Sequence, residues 1–233
     1  VAEGRPAGGR YRVVAIDGPA GSGKSTTARA VARRLGFVHL NSGLLYRAIT
    51  WRALREGLET GEPAFEERVR GTDIALTVSD GEVHVQVDGE DPGSELSGRA
   101  VSERVSAVSA RPIVRAVVLA RLREAGERFD LVCDGRDIGT TVFPRADVKV
   151  FLVAAARERA RRRLLDVGVV PDDEAIEREA ARLEARDRAD STRRLSPLRR
   201  APDAVEIDTT SRDPEEVVEG IVALARARGL IGP

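Results

Sequence analysis

The chain is 233 residues long with 42% hydrophobic content, enough to bury one core with appendages but not several independent domains. Its 38 acidic and 38 basic side chains cancel, so no global field favours nucleic acid or an anionic membrane, and any anion site must be local. A single Cys133 excludes an intramolecular disulfide and a multi-cysteine zinc site, and no apolar stretch approaches the ~20 residues of a membrane span; the expectation is a cytoplasmic protein.

Val1 to Tyr11 are rich in Gly and Arg without an apolar segment, which predicts a disordered lead-in over residues 1–10. Arg12 to Asp17 then reads as a short β-branched strand, and Ala28, Val31, Ala32 and Leu35 recur at helical spacing. Between them lies Gly18-Pro19-Ala20-Gly21-Ser22-Gly23-Lys24-Ser25, followed by Thr26: G-x-x-x-x-G-K-S in the strand-turn-helix setting that the pattern needs. Its glycines let backbone N–H groups face inward, the helix adds the positive end of its dipole, and Lys24 supplies a point charge for nucleotide phosphates. Ser25 is positioned by the motif to hold magnesium. Lys24 is one of two lysines in a chain that otherwise uses arginine, which argues against a chance match.

Phe37 to Leu40 predicts a second strand, and Leu44 to Arg55 the helix after it. Ile74 to Val78 and Val83 to Val87 flank an Asp80-Gly81 turn and predict an antiparallel hairpin, expected to stand off the core because it breaks the βαβ rhythm. Helical patterns follow over residues 98–110 and 112–128, divided by Pro112. Asp130 to Cys133 and Val148 to Val153 are apolar without alternation, as in strands buried on both faces of a parallel sheet. Helices over 155–166 and 172–193, a strand over 204–207 and a closing helix over 214–228 complete a doubly wound α/β core with inserts.

Four polar clusters sit at or beyond strand ends, where such a sheet binds ligands. Ser42, Tyr46 and Arg47 start the second helix; the plainer reading is an N-cap, a half-buried ring and a surface charge. Asp134-Gly135-Arg136-Asp137 follows the third parallel strand, where a simple connection would also fit. Arg157, Arg159, Arg161, Arg162 and Arg163 repel one another along one helix, which either faces an anion or is neutralised by later glutamates. The last holds Arg186, Asp190 and Arg193, with Arg186 and Asp190 spaced as a helical ion pair. Together the clusters suit transfer of a γ-phosphoryl group between two anionic substrates, whose transition state spreads charge over the equatorial oxygens.

The chain resembles the bacterial cytidylate kinases, a nucleoside monophosphate kinase family, from Tyr11 onward. The residues that carry the likeness are IDGPAGSGKST (16–26), NSGLLYR (41–47), CDGRDIGTTVFPRADVKVFL (133–152), ERARRR (158–163) and RDRADSTRRLSPL (186–198). The resemblance implies a P-loop NTPase-type parallel sheet flanked by helices, an inserted antiparallel hairpin and helical monophosphate-binding domain, and a short Arg-rich lid. The corresponding boundaries are core at 11–40, insert at 41–111, core at 112–154, lid at 155–185 and core at 186–233.

It further implies phosphoryl transfer from ATP·Mg²⁺ to CMP or dCMP by a monomer that needs neither nucleic acid nor membrane. Arg47 and Arg136 would bind the acceptor phosphate; Ser42, Arg115 and Asp137 the cytosine, beside Tyr46; Ser106, Arg186 and Asp190 the ribose, with Arg193 nearby. Arg159, Arg162 and Arg163 would lie on or beside the lid over ATP, so that Lys24, Arg136, Arg159 and Arg193 form the catalytic set. A carboxylate at Asp137 accepts from the exocyclic amine of cytosine and repels the carbonyl that uracil has there. Ser25, with Asp134 at its strand end, would order the magnesium shell. Asn41 stands where many relatives carry Asp, and Ala189 and Ser191 where some carry Arg. A kinase of similar core acting on UMP, AMP or a sugar acid is the nearest alternative; a guanine-reading switch lacks its Asn-Lys-x-Asp.

Overall fold

The computed structural model describes residues 11–232, so the lead-in expected at 1–10 lies outside them. The strands are β1 (Val13–Asp17), β2 (Val38–Asn41), β3 (Ile74–Ser79), β4 (Glu82–Val87), β5 (Leu131–Gly135), β6 (Val148–Val153) and β7 (Val205–Asp208). The helices are α1 (Lys24–Leu35), α2 (Ser42–Arg55), α3 (Pro63–Gly71), α4 (Arg99–Ser109), α5 (Pro112–Gly126), α6 (Ala156–Asp166), α7 (Asp173–Thr192) and α8 (Pro214–Ala227).

All seven strands join one sheet in the order β3-β4-β2-β5-β1-β6-β7, parallel throughout except for β3 against β4. Parallel pairing brings Asp17, Asn41 and Asp134 to one edge, since Asn41 aligns with Asp134 and Asp17 with Gly135. Side chains alternate between faces along each strand. Val14, Ile16, Val132, Val150 and Leu152 pack with α1 and α8 on one side; Ala15, Val38, Leu40 and Cys133 pack with α2 and α5 on the other. Each aliphatic side chain buried in this way contributes about 1.5–3 kcal/mol, which explains why strands covered on both faces lack polar alternation.

The hairpin does not stand off the core. Its strand β4 lies beside β2, with His39 opposite Glu82 and the His39 N–H donating to the Gly81 carbonyl at 2.8 Å. Left alone, β2 would present a row of unpaired donors and acceptors, and the hairpin covers them. The apolar side of β4, Val83, Val85 and Val87, is buried in the same cluster as α2. A helix that the pattern does not announce, α3, follows Pro63 at its first position and buries Phe65 and Val69; two apolar residues one turn apart are too few to signal it.

Close contacts fix the turn after β1. At Gly18, with φ +152°, an added Cβ would lie 2.1 Å from the Leu152 carbonyl oxygen, so the loop crosses the end of β6 with no room for a side chain. Gly23, with φ +82°, opens α1 without a side-chain cap, leaving the first-turn N–H groups facing outward. On the other flank, buried Asp17 accepts the Ile138 N–H at 2.8 Å and the Gly139 N–H at 2.7 Å. It thereby holds the start of a π-helical turn, Ile138–Val142, directly beyond Asp137.

Two measurements test these constraints. Gly18→Ala is expected to lose about 3 kcal/mol and roughly 10 °C in Tm, since the blocking atom is backbone and cannot swing away. Gly36→Ala, at the α1 C-cap with φ +68° and open space around it, is expected to lose only about 1 kcal/mol. Burial pushes the Asp17 pKa up to about 6, with Asp137 adding to the rise. The folded protein therefore holds this proton more tightly than the unfolded chain, and the gain is complete below about pH 4 and lost as pH rises through about 6. The advantage of wild type over Asp17→Asn in urea midpoint should accordingly be larger at about pH 4.5 than at about pH 7.5; an advantage that is equal at both would refute the shift.

Candidate active site

A cleft of about 350 Å³ opens at the carboxyl ends of β1, β2 and β5. At one end the turn after β1 contributes Ala20, Gly21, Gly23, Lys24, Ser25 and Thr26. Gly18, Pro19 and Ser22 lie behind this wall and shape it: the Ser22 hydroxyl donates to the Pro19 carbonyl at 3.1 Å, and that carbonyl also receives the Lys24 ammonium. Burial, reinforced by the nearby Arg136 charge, pushes the Lys24 pKa well below its ordinary value.

At the other end stand Ser42, Tyr46, Arg115 and Asp137. Arg115 and Asp137 are both buried and joined by a 2.7 Å bond from Nη2 to Oδ2, and the Arg115 guanidinium lies 5.3 Å from the centre of the Tyr46 ring. Burial raises the Tyr46 phenol to about 12, so it stays protonated at neutral pH. The Ser42 hydroxyl is turned into the sheet, donating to the Asp134 carbonyl at 2.8 Å.

Between the two ends the wall carries Arg47, Arg136, Arg163, Arg186 and Arg193. Asp190 is not taken by Arg186, the partner expected one turn earlier. It accepts instead from Arg136 Nε at 3.2 Å and Arg193 Nη1 at 3.3 Å, since those guanidinia come from a different strand end and from the helix terminus and meet it inside the cleft. Arg186 is left buried among like charges that Asp190 offsets only in part, and its pKa falls to about 10, burial being the main cause and Arg136 the next. Burial also lowers Arg47, which Arg163 reinforces, and Arg193, which Arg115 reinforces.

Three expected site residues are elsewhere. Arg159 is buried beneath the loop, donating from Nη1 to the Ala20 carbonyl at 2.9 Å, from Nε to Ala154 at 3.0 Å, and pairing with Asp187. It braces the loop from below and lines no part of the cleft. Arg162 is held by Glu158 at 2.8 Å and by the Thr209 carbonyl at 2.6 Å. Ser106 lies on α4 between Val105 and Ser109, and those two reach the cleft while it does not. The run of arginines on α6 is therefore neutralised mostly by carboxylates: Arg157 pairs with Asp173 and Glu177, and Arg161 and Arg162 with Glu158, leaving Arg163 on the cleft wall. Arg157 turns toward α7, Arg161 toward solvent and Arg162 toward the end of β7, so the partners that other elements supply decide which arginine is left for the cleft.

Several residues in the site carry no motif. Asp187 accepts the Ala20 N–H at 3.1 Å and, with Arg159, pins the loop; in sequence it stands between Arg186 and Arg188, with no spacing that marks it. Asp17 sits inside the IDGPAG segment but has no role in the phosphate pattern. His39 reads as one more strand residue, yet its Nε2 lies 2.8 Å from Asp134 Oδ1, while Ser25 Oγ donates to Asp134 Oδ2 at 2.7 Å.

Comparison with known proteins places the chain in a family. The sequence model of one family, described as "Cytidylate kinase", matches residues 14–227. A protein of Geobacillus kaustophilus named "Cytidylate kinase" is 48% identical over 219 residues, covering 92% of this chain and 96% of that one. A "Bifunctional pantoate ligase/cytidylate kinase" of a Synechococcus strain is 44% identical over 225 residues, 94% of this chain but 46% of the larger protein. Among solved structures, an uncharacterized protein from Eubacterium ventriosum superposes with a TM-score of 0.51 at 12% identity, over 93% of this chain and 99% of that one, a likeness of fold alone.

Proposed function

The chain belongs to the cytidylate kinase family and transfers a phosphoryl group from ATP to CMP or dCMP; from that premise we propose which of its residues carry each part of the reaction. The observation that supports the assignment is one continuous cleft with the phosphate loop at one end, the Arg115–Asp137 pair at the other and arginines between. ATP phosphates bind at Gly21 to Thr26, where the free N–H groups of the first turn of α1 and the Lys24 ammonium meet them. Anionic oxygens there favour the charged form of Lys24 that burial alone disfavours.

The acceptor base lies against Tyr46, with Asp137 and Arg115 facing its edge. A carboxylate beside a guanidinium offers an acceptor next to a donor, which complements the amine and ring nitrogen of cytosine. Uracil presents a carbonyl and an N–H there, so both contacts would become repulsive or unpaired. Arg47, Arg136 and Arg163 converge on the acceptor phosphate, and Arg186, Asp190 and Arg193 lie beside them for ribose and transferring group. No general base is called for, because a phosphate monoester is already an anionic nucleophile at neutral pH. The residues act by position and charge. Arg159, which lies under the loop, contributes by holding its shape.

Ser25 Oγ and Asp134 Oδ2, 2.7 Å apart, offer oxygen donors of the kind that a hard cation takes. Among the described residues no group of three or more His, Cys, Asp or Glu side chains could hold a metal, so these two oxygens suit magnesium shared with phosphates rather than caged by protein. When bound, Mg²⁺ supplies neutralisation of charge on the phosphate oxygens. Residues 41–111 serve as the monophosphate-binding part and 155–185 as the lid in this reading. It extends to a cytoplasmic monomer with no nucleic-acid or membrane partner, a reading for which the balanced charge is the support against nucleic acid and anionic membrane. Among the described residues no helix is long and apolar enough to cross a membrane.

A coupled ADP-release assay with ATP·Mg²⁺ and each of CMP, dCMP, UMP, AMP and GMP tests the base reading. Turnover is expected with CMP and dCMP and little with the others; preference for UMP or AMP would overturn the role of Asp137. Lys24→Ala should keep its thermal unfolding profile while kcat falls by about 10²–10³, as for loss of other electrostatic donors. Retained turnover would remove Lys24 from the catalytic set.

A further inference from the structure

His39 and Asn41 share one face of β2, because side chains two apart on a strand point the same way, and in the parallel register Asn41 is opposite Asp134 of β5. A continuous polar chain results. Asn41 Nδ2 donates to Ser25 Oγ at 2.9 Å, Ser25 Oγ donates to Asp134 Oδ2 at 2.7 Å, and Asp134 Oδ1 faces His39 Nε2 at 2.8 Å. His39 Nδ1 looks toward the hairpin, 3.9 Å from Glu82 Oε2, and Arg29 Nε of α1 holds the other Glu82 oxygen at 2.7 Å.

The chemistry of each group sets the direction of the bonds. An amide nitrogen only donates, so Ser25 Oγ accepts from Asn41 and directs its single proton at Asp134. A carboxylate only accepts, so the hydrogen between Asp134 and the imidazole belongs to Nε2. Ser25 Oγ is then left with one lone pair for a cation. His39 and Asp134 are 4% and 2% exposed, so without the imidazole Oδ1 would be a buried acceptor with nothing to accept.

We propose that His39 is a positioning residue: its Nε2–H holds Asp134 in the orientation that receives the Ser25 hydroxyl, and so presets the oxygen pair that binds the divalent cation. This rests on the assignment of Ser25 and Asp134 to magnesium. Independently of His39, Arg29 and Glu82, 2.7 Å apart, tie the hairpin to α1, the helix that begins at the phosphate loop. Orienting partners behind metal ligands commonly alter metal affinity 10–100-fold.

The test measures Mn²⁺ affinity by electron paramagnetic resonance, with a non-hydrolysable ATP analogue, in wild type, Ser25→Ala, His39→Phe and His39→Gln. The Gln side chain places a donor near the Nε2 position, whereas Phe fills the volume without one. Ser25→Ala and His39→Phe are expected to weaken Mn²⁺ about 10-fold or more, with His39→Gln within about threefold of wild type. If Ser25→Ala weakens binding and His39→Phe does not, or if Phe and Gln weaken it equally, the role of His39 is overturned while the metal assignment stands. If Ser25→Ala has no effect, the metal assignment falls and the inference falls with it. Should His39→Phe fail to fold, long-range ¹H–¹⁵N spectra of the wild type decide: a hydrogen on Nε2 supports the proposal, and an Nδ1–H tautomer refutes it.

Discussion

Lys24, Arg47, Arg136, Arg163, Arg186 and Arg193 share one cleft, and their mutual repulsion is the constraint around which the rest of the chain is arranged. Bringing two polyanions together requires these cations to stand close, yet closeness and burial both disfavour their charge, as the lowered Arg47, Arg186 and Arg193 show. The chain answers with carboxylates set behind the cations. Asp190 takes Arg136 and Arg193, Asp137 takes Arg115, and Asp134 lies near Lys24, so these cations are steadied from the rear, whereas Arg47 is held by the Leu96 carbonyl and the Ser102 hydroxyl. In the proposed reaction phosphates complete the neutralisation from the front, which would make the anionic substrates part of what balances the site.

The same device supports the phosphate loop from beneath. Arg159 and Asp187, paired with each other, hold the carbonyl and the N–H of Ala20, one from α6 and one from α7. Small and apolar side chains, Ala20, Ala160, Ala180 and Leu183, bring the backbones close enough for these contacts. The base of the α6–α7 pair is thus bolted to the loop. Its far end carries exposed Leu165, Val167 and Val170, with few buried contacts to restrain it.

The parallel sheet makes the arrangement possible. Its register delivers Asp17, Asn41 and Asp134 to one edge, and alternation sends His39 and Asn41 to the α1 face while Val38 and Leu40 enter the opposite core. The hairpin belongs to this sheet, because β2 needs a neighbour and β4 supplies one through Gly81 and Glu82. A part of the chain that sequence rhythm alone separates from the core is therefore connected to the ends of the central strands.

Local pattern was sufficient for what depends on local physics. Glycine spacing with Lys24 and Ser25 specified the phosphate loop, unbroken apolar runs specified β5 and β6, and the Asp80-Gly81 turn specified the hairpin. The segment after β5 drew notice as part of a site because two acids, an arginine and glycines at a strand end are costly to place together, although a plain connection would also have fitted. Which arginines face the cleft was not legible: Arg163 lines it while Arg159 and Arg162, one turn or one residue away, are engaged behind it. Asp190 exchanged its expected helical partner for Arg136 and Arg193, His39 gained its partner across strands, and Asp17 gained its own from the turn beyond β5. Sequence spacing fixes which residues can share a helix face or a strand face, whereas the partner of a buried charge is set by what another element brings within about 3 Å, and that is decided by tertiary packing.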